Sequence, residues 1–185
     1  MAGVVRSLRT GSSLLPALLL IVFLPQTAHA RSSFQLKSAD FANGARIPST
    51  HEANTFGCTG RNIPLSLSWT NPPAHTRSFA LTMIDTDAPS GSFVHWLVYD
   101  IPAGRHALTP GSLQGTQQGR DDAGRDGYIG PCPPAGSGVH HYHLTLYALS
   151  VRHIAGTGID LTALRRAMRG HILSRASLIG TDQRS

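Results

Sequence analysis

The stretch Gly130-Pro131-Cys132-Pro133-Pro134-Ala135-Gly136-Ser137-Gly138-Val139-His140-His141-Tyr142-His143-Leu144-Thr145-Leu146-Tyr147-Ala148 decides the fold. Its first half is too rich in glycine and proline for regular structure, so it reads as a rigid loop with some backbone at positive φ. Such a loop can turn N–H groups inward as an anion-binding nest. The second half alternates with period two, the pattern of a half-buried strand. Tyr142, Leu144, Leu146 and Ala148 share one face with His140, and His141 and His143 take the other. A polar tip therefore sits on an apolar stem where the loop delivers the chain to a sheet edge.

Upstream, the same alternation recurs between dense turn signals such as Asn71-Pro72-Pro73, Ala88-Pro89-Ser90-Gly91 and Pro102-Ala103-Gly104. Leu65, Leu67 and Trp69 alternate with serines, and Phe79, Leu81 and Met83 share one face. His95-Trp96-Leu97-Val98-Tyr99 is apolar on both sides, as expected of a central strand. Downstream, Leu161, Leu164, Met168 and Ile172 recur at helical spacing behind Asp160, an N-cap residue type. Gly170 marks a place where that helix loosens. Several short strands and one late helix predict a mostly antiparallel two-sheet β-sandwich with a helix packed on one edge. The polar segment 104–127 reads as a long functional or mobile loop. No internal repeat or linker divides residues 31–185, which make one domain.

The first thirty residues have a different order. Arg6 and Arg9 precede an apolar run from Leu14 to Leu24, followed by Ala28-His29-Ala30. Basic, apolar and small residues in that order form a secretory signal peptide, with cleavage expected after Ala30. The run is shorter than the ~20 residues a spanning helix needs. The net charge is +6, and +4 without Arg6 and Arg9. That modest excess draws anions weakly, and no basic run with interleaved aromatics points to nucleic acid. An exported chain resides where disulfides persist. Cys58 and Cys132 then read as one bridge, with two buried thiols as the alternative.

Three polar clusters carry potential chemistry. Asp85 continues the apolar face of Phe79, Leu81 and Met83, so its carboxylate must be paired or sit at a cavity rim. Asp87 and Pro89 follow in a turn, and a plain strand-end turn is the alternative reading. His95 opens its strand with Leu97 and Tyr99 expected on the same face. His140 and Tyr142 complete the set.

In order and spacing, Asp85-x-Asp87-Ala88-Pro89, His95 before an apolar strand, and Gly130-Pro131 through Gly138 to His140-x-Tyr142 resemble the signature regions of the phosphatidylethanolamine-binding protein family, in its bacterial Raf-kinase-inhibitor-like branch. Ile47-Pro48, Gly60-x-Asn62, Pro73-Ala74 and Ser78-Phe79 follow the same branch. The resemblance runs from about Phe34 to Gly180. It implies two antiparallel sheets with one or two flanking helices, and a small anion-accepting cavity walled by Asp85, Asp87, Pro89, His95, Gly130, Pro131, His140 and Tyr142. It also implies that the loops bearing Cys58 and Cys132 meet beside that cavity. Thr86, His141 and Asp182 depart from the family pattern, where proline, arginine and an aromatic are usual.

The resulting expectation is an exported, periplasmic or secreted, non-enzymatic protein that binds a small phosphorylated or carboxylated molecule such as a lipid headgroup. A kinase or protease is the class of protein partner the resemblance suggests, and the chain would be a monomer or homodimer. Histidines would donate to the anion, so affinity would rise below about pH 6.5. A weak acid–base hydrolase using the same cavity is the alternative, set back by the lack of a Gly-x-Ser-x-Gly elbow. A His141/His143 metal pair lacks an evident third ligand. No cofactor is expected.

Overall fold

Met1, Gly3 and residues 33–185 are described by the computed structural model. The leader expected over residues 1–30 and its cleavage point therefore lie outside the described residues, Met1 and Gly3 apart. No helix among the described residues is long and apolar enough to cross a membrane.

Two antiparallel sheets face each other. The smaller joins β1 (Gln35–Ser38), β2 (Leu67–Thr70) and β5 (Ala107–Leu108) in the order β1-β2-β5. The larger joins β3 (Ser78–Asp85), β4 (Phe93–Pro102), β6 (Gln117–Gln118), β7 (His140–Leu149) and β8 (Ile172–Asp182) in the order β6-β4-β3-β7-β8. Alternation decides which side chains fill the gap. Leu67 and Trp69 of β2 meet Phe79, Leu81 and Met83 of β3 and Leu144, Leu146 and Ala148 of β7 in one cluster. Burying each large member contributes roughly 1.5–3 kcal/mol. Trp69 and Phe79 pack edge-on with centroids 5.3 Å apart, a favoured aromatic geometry.

The helix α1 (Leu161–Met168) starts where the sequence predicts, with the Asp160 carboxylate accepting from the Ala163 N–H at 2.7 Å. It packs Leu164 and Met168 against Ala80, Leu97 and Tyr99. Those residues form the outer face of the large sheet, so the helix covers a face and not an edge. It also ends earlier than its spacing suggested. Gly170 takes φ +79°, reversing the chain, and Ile172 opens the eleven-residue strand β8. The only other helical piece among the described residues is the 3-10 turn Ser49–His51. The 104–127 segment is less loose than expected, because it contains β5 and β6.

Candidate functional site

Strands β3, β4 and β7 run side by side with β3 in the middle, and their ends meet at Asp85, Phe93 and Tyr142. Asp85 pairs in register with Phe93 on one side and Tyr142 on the other. Here the apolar alternation stops and polar groups take the inward positions. A cavity of about 260 Å³ opens at this point, walled by Asp85, His95, His140 and Tyr142 together with Pro89 and Gly130. Phe56, Phe93, Ile129, Cys132, Pro133 and Pro134 make most of the rest apolar. No lysine or arginine lines it among the described residues.

His95 arrives by a device the sequence does not display. Met83 pairs with Trp96 but Ile84 pairs with Val94, so His95 is an extra residue in β4, a β-bulge. Bulges re-aim side chains. His95 leaves the Leu97/Tyr99 face predicted for it and lies with its ring 5.1 Å from that of Tyr142 and 4.8 Å from that of Phe93. Its Nδ1–H donates to the Ile129 carbonyl at 2.9 Å. That bond leaves Nε2 as the ring's open nitrogen, carrying a lone pair in the neutral form. Burial disfavours the charged ring and lowers the His95 pKa below the ordinary histidine value, with the Ile129 carbonyl and the Asp85 charge opposing. The expected rise in affinity below pH 6.5 therefore moves to more acidic pH for this residue.

His140 is held at both nitrogens. Nδ1 donates to Asp85 Oδ2 at 2.7 Å, and Nε2 lies 2.8 Å from Ser137 Oγ. The second Asp85 oxygen accepts from the Asp87 N–H at 2.9 Å. Asp85 and His140 are 4% and 1% exposed, so this is a fully desolvated pair, a kind whose disruption is costly. Tyr142 is completely buried and its hydroxyl has no partner. Burial, followed by the nearby Asp85 and Asp182 carboxylates, pushes its pKa up, so it stays a neutral donor. Asp182, opposite His140 on β8, binds Arg46 Nε at 3.0 Å through one oxygen, and its other oxygen is buried and unpartnered.

Two expected wall residues do not reach the cavity. The Asp87 carboxylate turns outward, accepting from the His141 N–H at 2.8 Å and His141 Nδ1 at 2.9 Å. Those bonds hold its pKa below the usual carboxylate value. They also employ His141, which the sequence offered as a metal ligand, and no group of three His, Cys, Asp or Glu side chains converges among the described residues. Pro131 lies behind the wall with its carbonyl accepting from the Ala53 N–H at 2.9 Å.

Over residues 130–134 the loop is no anion nest. Pro131, Pro133 and Pro134 have no N–H, and the Gly130 N–H donates to Asn62 Oδ1 at 2.8 Å. Gly130 is required for close packing, since any side chain there would strike the His51 carbonyl. Asn62 also donates to the Tyr128 carbonyl, which pins the loop from below. The bridge between Cys58 and Cys132 is present, and Cys132 lines the cavity. Arg184 Nη1 lies 3.2 Å from Cys58 Sγ and 3.4 Å from the Pro133 carbonyl, closing the loop from the C-terminal side. Ser137 lies in no Gly-x-Ser-x-Gly elbow, so the sequence did not mark it as a site residue. Its position three residues before His140 was the available signal.

The family model for phosphatidylethanolamine-binding protein matches residues 37–183. A UPF0098 protein of Aquifex aeolicus is 39% identical over 153 residues, covering 80% of this chain and 86% of its own. LppC of Mycobacterium tuberculosis, whose name describes a lipoprotein, is 37% identical over 155 residues, covering 83% of this chain and 74% of its own. The crystal structure of YbcL from Escherichia coli, described as a new member of the mammalian PEBP family, matches with a TM-score of 0.78 at 30% identity, covering 83% of this chain and all of that one. By the family match and these relatives, the chain belongs to the phosphatidylethanolamine-binding protein family.

Proposed function

We propose that the cavity binds a small acid, a carboxylic acid or a phosphate monoester, that shares a proton with His95. The observation that carries this reading is the His95 ring, fixed by the Ile129 carbonyl at Nδ1 and open at Nε2 in an apolar cavity. Without a lysine or arginine in the wall, a multiply charged anion gains little there. An acid that brings one proton, or takes one up with His95, avoids an unpaired buried charge. Small carboxylates and phosphate meet that condition near pH 5–7, and sulfate does not. The apolar remainder of the wall suits a short hydrocarbon portion attached to the acid.

We further propose that the protein works outside the cytoplasm. Support comes from the basic–apolar–small order of residues 6–30, the Cys58–Cys132 bridge, and a relative named as a lipoprotein. N-terminal sequencing of protein recovered from an expressing cell should begin at Arg31, and an intact Met1 would remove the export reading.

Ligand-induced thermal stabilisation tests the cavity. Acetate, butyrate and phosphate should each stabilise the protein, more at pH 5.5 than at pH 7.5, whereas sulfate should not. At a hundredfold excess over Kd the gain is about 2.7 kcal/mol. Equal stabilisation by sulfate and acetate, or none by any acid, sinks the reading and leaves the surface around the cavity as a protein-docking candidate.

A further inference from the structure

We propose that Ser137 is a nucleophile, and that with His140 and Asp85 it lets the cavity cleave short-chain carboxylic esters through an acyl-serine. The proposal rests on the reading of the cavity as an acid site, because the acid released is such a ligand.

Three groups stand in line. Ser137 Oγ is 2.8 Å from His140 Nε2, and His140 Nδ1 is 2.7 Å from Asp85 Oδ2. The carboxylate and the ring are buried, and the serine is exposed, in hydrogen-bond contact with two residues of the cavity wall, Pro134 and His140. This is the geometry by which nucleophile, base and orienting acid are recognised, on whatever fold and in whatever chain order. The Asp85 carboxylate takes the Nδ1 proton, which fixes the tautomer. In the neutral ring Nε2 then carries the lone pair, aimed at the serine hydroxyl. Ser137 Oγ also lies 2.8 Å from the Pro134 carbonyl. Its one proton thus has two acceptors, and the carbonyl receives it whenever His140 is protonated.

The loop suits an exposed nucleophile. Gly136 and Gly138, at φ +76° and +90°, turn the chain tightly around Ser137. The next two N–H groups, of Gly138 and Val139, make no hydrogen bond among the described residues. They are open to serve as donors for an oxyanion. Pro134 and His140, the two groups Ser137 touches, both line the cavity. An acyl carbon at Ser137 Oγ would lie at its mouth with a short chain running toward Phe93 and Ile129.

The chemistry balances without any cofactor. Ser137 Oγ attacks the ester carbonyl carbon while its proton passes to His140 Nε2. The C–O bond to the alcohol breaks, and the alcohol leaves with that proton. Water then gives a proton to Nε2 and its oxygen to the acyl carbon; the acyl carbon–Oγ bond breaks, Nε2 returns the proton to Oγ, and the carboxylic acid leaves a restored serine. Asp85 is the positioning residue, holding the ring and offsetting its charge.

The test uses the full chain with its disulfide intact, p-nitrophenyl acetate and butyrate as substrates, and diisopropyl fluorophosphate as a covalent probe. We expect p-nitrophenolate release above buffer, and a probe adduct that peptide mass mapping places on Ser137. Ser137→Ala should abolish both, and His140→Ala should lower the rate about 10²–10⁴-fold. Because His140 is buried, Asp85→Asn provides a second variant, expected to lower the rate and shift its pH profile. Ser90→Ala serves as the control with unchanged rate. Acetate stabilisation with no adduct on Ser137 overturns the nucleophile and keeps the binding site. An adduct that forms equally fast in His140→Ala also overturns it. Absence of both adduct and stabilisation removes both readings.

Discussion

The two ends of β3 and β7 use one register for opposite purposes. At the Phe79–Ala148 end, alternation is unbroken and every inward side chain is apolar and buried. Six residues along, at the Asp85–Tyr142 end, the same face carries a carboxylate, two imidazoles and a phenol around a cavity. Nothing in the backbone pairing of these two strands separates the ends. The difference lies in the residues at the terminal positions, the β4 bulge that brings His95 to the cavity, and a loop tied by the Cys58–Cys132 bridge; β4 shifts register near Phe79 as well, with no polar group delivered there. Rigidity made at one end is thus available to hold chemistry at the other.

Breaking the tie should have the largest effect. Cys58→Ser with Cys132→Ser opens a loop spanning 74 positions, and should cost about 4 kcal/mol in denaturant unfolding along with acid binding. Phe79→Ala tests the dry end alone. It should cost roughly 3–5 kcal/mol yet leave acetate affinity within about twofold. A large affinity loss there would mean the two ends are not separable.

Asp85→Ala strikes the wet end. It strips the partner from a buried imidazole and from the Asp87 N–H, and should cost about 1–3 kcal/mol, together with acid binding. Acidification sharpens the contrast further. The buried His95 resists protonation, so the unfolded chain takes up protons first as pH falls through about 6.5. Apo stability should drop there, while the gain from acetate grows because binding returns a proton partner to Nε2. His95→Asn should remove both trends in a pH series of thermal unfolding. The smallest effect belongs to Tyr142→Phe. Removing an unpartnered buried hydroxyl should raise apo stability by up to about 1 kcal/mol. A loss of more than that would show that the hydroxyl has a partner in solution.

The parts visible in the sequence are those where side-chain pattern alone sets the outcome. β2, β3 and β7 declare themselves by period two, and α1 by its cap and spacing. β8 did not, because Ile172 extends the Met168 spacing by one helical step across Gly170. Its own inward series of Ala176, Leu178, Gly180 and Asp182 contains few large apolar residues. At the site, Asp85, His140 and Tyr142 follow from parity along one strand. His95 was placed on the wrong face because a bulge is a property of pairing, which a single strand's sequence does not contain. Asp87 has the parity of Asp85 but lies past the end of β3, where the chain bends and His141 holds its carboxylate outward, while Pro131 adjoins wall residues in sequence but faces elsewhere, as neighbours on an extended chain do. The acceptor that consumes the Gly130 N–H is Asn62 Oδ1, remote in the chain.

The extra residue in β4 also partitions the strand as a text. Beyond it, Val94 and Phe93 are in step with Ile84 and Asp85, and before it Trp96 and Leu97 are in step with Met83 and Thr82. Residues on the cavity side can therefore be exchanged, lengthened or shortened without resetting the reading frame of the core. Substitutions confined to Ala88, Pro89, Pro133 and Pro134, which line the pocket without forming the bridge or the Gly130 close packing, should alter what the pocket accepts while leaving the sandwich to assemble as before.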